Sequence, residues 1–159
     1  MHPALEPLEF LVGTWQSTSA RGHFPDINDF RYEETITFEE IGQPLLNFKS
    51  VSKIGERPMH LESGFLKINP GTQKLVFLVS HNFGICSIEE GQVQGSTITL
   101  ESKEIIRASS AKEPHVTKLK RVIKLIGNDQ LEIKTDMATT RVPELTNHLV
   151  VMYKKVIAK

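Results

Sequence analysis

The chain has 159 residues, 39% hydrophobic and 24% charged, with 19 basic side chains balancing 19 acidic ones for a formal net charge of +0. That is enough for one unit with a real interior, read here as a single domain over 1–159, and it is far from the profile of a disordered chain. Zero net charge gives no long-range pull on a polyanion, so nucleic acid and anionic membrane are excluded as expected partners, whereas low self-repulsion permits a homodimer.

In chain order, Met1–Pro7 has neither a basic start nor a long apolar stretch, so no signal peptide is visible. Residues 7–12, just before Gly13, form the one helical turn that the apolar pattern suggests. After it come β-type runs rich in Val, Ile, Thr and Phe. They fall at 13–20, 30–40, 45–53, 59–69, 74–80, 85–92, 96–106, 115–126, 130–138 and 147–156. Asn69-Pro70-Gly71-Thr72, Glu90-Gly91 and Gly127-Asn128-Asp129 supply the residue types of tight turns, so consecutive strands should be antiparallel neighbours.

Leu131, Ile133, Thr135 and Met137 alternate with Glu132, Lys134 and Asp136, which describes a strand with one dry face. No long helical pattern is left to cover that face. The sheet must therefore close on itself, and the expected fold is all-β, a ten-stranded antiparallel up-and-down barrel with a short N-terminal helical turn. Eight strands already leave room for one small ligand. Ten, with one Trp, two Tyr and eight Phe to fill them, should leave a hole for an apolar guest. No run approaches the roughly 20 apolar residues of a membrane helix, and the lone Cys86 fits a reducing compartment, so the expected address is the cytoplasm.

The six histidines are His2, His23, His60, His81, His115 and His148. No HxH, HExxH or tight His/Cys spacing occurs among them, which gives little support to a zinc site made of protein ligands alone. A haem needs only one protein ligand. By the period of two, His148 shares a face with Val150 and Met152. From spacing alone it is either a ligand at the rim of a cavity or a strand-end histidine bonded to a carbonyl. Cys86 reads as a small buried residue within a strand, and Glu33-Glu34, Glu39-Glu40 and Glu89-Glu90 read as diverging, solvated pairs. No nucleophile motif or phosphate-cradling loop is present.

The order of segments resembles the nitrobindin family across almost the whole chain. Leu8-Glu9-Phe10-Leu11-Val12-Gly13-Thr14-Trp15, Phe24-Pro25-Asp26-Ile27 and Phe30-Arg31-Tyr32-Glu33-Glu34 are similar to its start. Met59-His60-Leu61-Glu62-Ser63-Gly64-Phe65 is similar to its midpoint motif. Ala111-Lys112 and Glu144-Leu145-Thr146-Asn147-His148-Leu149 are similar to its last two landmarks.

The resemblance implies a barrel that binds one ferric haem b per chain, with His148 as axial iron ligand and Lys112 against a propionate. Met59, His60 and Met137 fall on cavity-lining positions. Because Met59 and His60 are adjacent, both can reach the cavity only at a bend or bulge. Asp26 corresponds to a haem-contacting threonine of the family, and Ser17 and Ser19 stand where it has glycines. The activity implied is nitric oxide binding and isomerisation of peroxynitrite to nitrate, with no catalytic residue beyond the iron. The alternative is a non-enzymatic, lipocalin-like carrier of a fatty acid. Some relatives carry a fused zinc finger, which one cysteine cannot build.

Overall fold

The computed structural model of the chain describes residues 1–157. Its first element is a 3₁₀ segment, Pro3–Leu11, longer than the helical turn expected at 7–12. Proline at its start loses a donor that would be orphaned anyway, and His2 Nδ1 accepts the Ala4 N–H at 3.1 Å. With three residues per turn, Leu5, Leu8 and Leu11 stack on one face, and each is fully buried. Burying each contributes about 1.5–3 kcal/mol. The Trp15 indole N–H donates to the Leu11 carbonyl at 2.9 Å and ties the segment to the first strand.

The strands are β1 Gly13–Phe24, β2 Ile27–Arg31, β3 Glu33–Glu40, β4 Leu45–Ile54, β5 Arg57–Ile68 and β6 Lys74–His81. They continue with β7 Ile85–Gln94, β8 Thr97–Arg107, β9 Val116–Ile126, β10 Gln130–Thr139 and β11 Thr146–Lys155. From β3 to β11 each pairs with the next, and β11 pairs back onto β1, so the sheet closes. All these pairings are antiparallel. The expected ten-stranded barrel is thus present, with one strand more. The run expected at 30–40 breaks at Tyr32: β3 pairs with the first part of β1 and β2 with its last part.

Turns form at Asn69-Pro70-Gly71-Thr72 and at Gly127-Asn128-Asp129 as their composition requires. Glu90-Gly91 is different, because it lies inside β7 and the turn comes at Gly95-Ser96. Gly91 is there for close approach: a Cβ on it would lie 1.7 Å from the Thr99 carbonyl oxygen on β8. Ser17 and Ser19 flank a register shift between β1 and β11, and Ser17 Oγ accepts the Glu34 N–H at 2.9 Å. None of the described non-glycine residues has positive φ, so the two serines are accommodated without backbone strain. No described helix is long and apolar enough to cross a membrane.

The two ends of the barrel are unlike. Near the start of β1 the 3₁₀ leucines pack into one cluster with Trp15, Phe38, Leu46 and Leu66 and stop that end. At the other end, where β1 finishes and β11 begins, the interior opens.

Candidate functional site

At the open end lies a cavity of about 290 Å³, whose upper walls include Phe30, Met59, Phe83, Ile85, Met137 and His148. Phe83, Ile85 and Val116 are shared with an adjoining hollow of about 430 Å³ that also touches Arg107, Lys112 and His115. Two bulges set which side chains look inward. On β5, Met59 and His60 together oppose Ser52 of β4, whose hydroxyl bonds both the N–H and the carbonyl of His60 at 3.0 and 3.1 Å. That is how adjacent residues both line the cavity.

The second bulge corrects the face expected for His148. Regular alternation would group it with Val150 and Met152. Pairing of β10 with β11 instead jumps from Thr135↔Leu149 to Asp136↔Asn147 and leaves His148 as the extra residue. Leu149, Val151 and Tyr153 therefore face the cavity, and His148 joins them. Its Nδ1 lies 3.0 Å from the His23 carbonyl oxygen. A carbonyl can only accept, so Nδ1 carries the proton and Nε2 keeps its lone pair. Among the described residues Nε2 has no hydrogen-bond partner. Phe24 packs edge-on against the ring at 5.4 Å. Burial pushes the His148 pKa down, opposed by the His23 carbonyl bond, so the neutral ring is favoured.

Below these side chains inward positions of four strands, β5, β6, β7 and β9, are polar. Glu62, His81, Ser87, Glu89 and Arg121 are all buried, Glu89 completely. Arg121 Nη1 donates to Glu62 at 3.0 Å and its Nε donates to Glu89 at 2.8 Å, while its guanidinium covers the Phe77 ring at 5.2 Å. Burial raises the Glu62 pKa, but Arg121 and the two histidines outweigh that and hold it at about 2. For His81 desolvation dominates and lowers the value to about 4. Glu34 goes the other way, because burial raises its pKa more than its bonds from Ser50 and Tyr153, at 2.5 and 2.7 Å, lower it. Tyr32 also faces the cavity, and its hydroxyl is buried with no partner among the described residues.

This floor overturns part of the sequence reading. Glu34 and Glu89 are not solvated; of the pairs Glu33-Glu34 and Glu89-Glu90, only Glu33 and Glu90 are exposed. Cys86 is exposed, because Ile85, Ser87 and Glu89 occupy the inward positions of β7. The histidine spacing gave little support to a zinc site made of protein ligands alone, yet His60, Glu62 and His81 bring ligand atoms within 4.8 Å of one another. The signal was present in His60-x-Glu62, two residues on one face of a strand. The register partner that completes it, Glu62↔His81, is not written in either segment.

Of the residues singled out by sequence, Met59, His60, Met137 and His148 line the cavity. Lys112 lies in the β8–β9 loop and lines the adjoining hollow instead. Asp26 is exposed in the turn after β1, outside the cavity lining, and close enough for its charge to act on His148.

Residues 4–155 match the family model described as "THAP4-like, heme-binding beta-barrel domain". The chain is 41% identical over 159 residues to a human protein named peroxynitrite isomerase THAP4, covering 98% of this chain and 27% of that protein. The chain thus spans about a quarter of the length of such mammalian relatives. A Nocardia farcinica protein named peroxynitrite isomerase is 34% identical, with 94% of this chain and 89% of that one covered. The crystal structure of Rv2717c from M. tuberculosis superposes with a TM-score of 0.87 at 29% identity over 99% of both chains.

Proposed function

The chain belongs to the THAP4-like, heme-binding β-barrel family, and on that premise we propose that it holds one ferric haem b through His148 and isomerises peroxynitrite to nitrate. Nitric oxide is a second small ligand of the same centre. One observation carries this reading: a bulge turns His148 into an apolar-walled cavity, with Nδ1–H held by a carbonyl and the Nε2 lone pair free. Haem-ligating histidines are commonly oriented by such a bond on the second ring nitrogen.

The other residues fit the group as well. Phe30, Ile85 and Met137 offer apolar contact for a macrocycle, and the adjoining hollow offers Lys112 for a propionate. Ferric haem held there would supply an open coordination position at which the O–O bond of peroxynitrite is broken and its atoms are rejoined as nitrate. The protein's own work is narrower. His148 donates its lone pair as a neutral ring, Phe24 restrains that ring, and the cavity walls keep water away. An isomerisation consumes no net proton, so no catalytic side chain is required. The charged floor of Glu62, Arg121 and Glu89 is a poor bed for an acyl chain, which argues against a fatty-acid carrier. An exposed free thiol at Cys86 suits the cytoplasm.

Haemin titration followed by absorption tests the reading. The native chain should develop a Soret band at one haem per chain and then accelerate peroxynitrite decay. His148→Ala should weaken haemin binding by about 100-fold or more with the thermal midpoint nearly unchanged. An unaltered haem spectrum in that variant would rule out axial ligation by His148.

A further inference from the structure

We propose that His60, Glu62 and His81 form a second metal site, for a divalent ion of the zinc class, on the floor of the cavity. The inference does not depend on the haem assignment. His60 Nε2 and His81 Nδ1 are 3.1 Å apart, and each lies 3.4 Å from Glu62 Oε1. A tetrahedral ion bonded at about 2.0–2.1 Å holds its ligand atoms about 3.3–3.4 Å from one another. The three atoms thus already stand near the corners of one face of such a tetrahedron.

Proton positions point the same way. Glu89 can only accept, so Ser87 donates to it at 3.1 Å and must in turn accept from His81 Nε2 at 3.0 Å. His81 Nδ1 then presents a lone pair toward the carboxylate oxygen of Glu62. Two lone pairs at 3.4 Å repel unless something positive lies between them. Without an ion, a single His60 Nε2–H must serve both. A cation satisfies all three atoms at once, and His60 needs only to move its proton to Nδ1, with no net release.

Two of the three ligands are also held from behind. Arg121 Nη1 grips Glu62 Oε2 at 3.0 Å, with Nη2 at a longer 3.4 Å from Oε1, and the Ser87–Glu89 relay fixes His81. In this network Glu62 and Glu89 share one guanidinium, so the buried floor carries a surplus negative charge. All three ligands line the cavity, which leaves a fourth position open, the arrangement of a reactive rather than a purely structural zinc. Two imidazoles and a carboxylate suit zinc-class ions better than calcium or magnesium, which take oxygen ligands.

Zinc titration by calorimetry on the chelator-treated, haem-free full chain tests this, with cobalt(II) absorption reporting coordination. One ion per chain should bind, and cobalt should give tetrahedral visible bands. His60→Ala and His81→Ala should each weaken zinc by about 100-fold or more, and Ser87→Ala by about tenfold. His148→Ala should leave zinc affinity unchanged, which separates this site from the haem reading. Should His81→Ala fail to fold, the part-exposed His60→Ala decides. Absence of zinc binding in the native chain, or full binding in His60→Ala, would overturn the assignment, the latter marking an adventitious surface site.

Discussion

The stopped end and the open end of this barrel are built from the same strands and differ in what faces inward. At the stopped end Leu5, Leu8, Leu11 and Trp15 are fully buried and need only a hydrogen bond from the indole to a carbonyl. At the open end Glu62, His81, Glu89 and Arg121 are buried nearly as well, and each persists only because a partner meets its charge or, for His81 through Ser87, its proton. Apolar packing is forgiving of which neighbour fills the space. A buried ionic network is not, since removal of one member strands the others. The open end gives up stability for chemistry, and the 3₁₀ plug offsets that cost from the far side.

The largest expected effect comes from breaking the network at its hub. Arg121→Met keeps the bulk but leaves Glu62 and Glu89 buried without a cation, and should destabilise the chain by about 3–5 kcal/mol in chemical denaturation at neutral pH. A loss below 1 kcal/mol would show that the floor tolerates unpaired charge and would dissolve the contrast between the ends. Next is Leu8→Ala at the stopped end, which should cost about 2–5 kcal/mol through an apolar void while leaving haemin and zinc titrations unchanged. A change in either titration would mean that the ends are coupled rather than separate.

The smallest effect sharpens the comparison by pH. Burial raises the Glu34 pKa in the folded chain, so the folded state holds this proton more tightly than the unfolded one. Its contribution to stability is therefore complete below about 4.5, the ordinary value, and is lost as pH rises through the folded value. Glu34→Gln should flatten this decline in urea midpoints measured across that window. A midpoint that falls with rising pH as steeply in the variant as in the native chain would exclude Glu34 as the cause.

Much of this was legible in the chain itself. Alternation along 131–137, turn residues at 69–72 and 127–129, and the absence of a covering helix led to a closed antiparallel barrel, because strand period and turn chemistry are local properties. The resemblance to one family marked four cavity positions, Met59, His60, Met137 and His148. Three things were decided only by assembly. Gly91 looks like a turn residue and is a mid-strand contact, since what it must avoid is a carbonyl on the next strand. His148 faces inward because of a bulge, a change in register between two strands that neither encodes alone. Glu34 and Glu89 read as solvated charge in sequence, for the period of two tells which residues share a face but not which face is inside. Only the closure of the sheet assigned that side, and it brought residues as distant as Glu62 and Arg121 within hydrogen-bond reach.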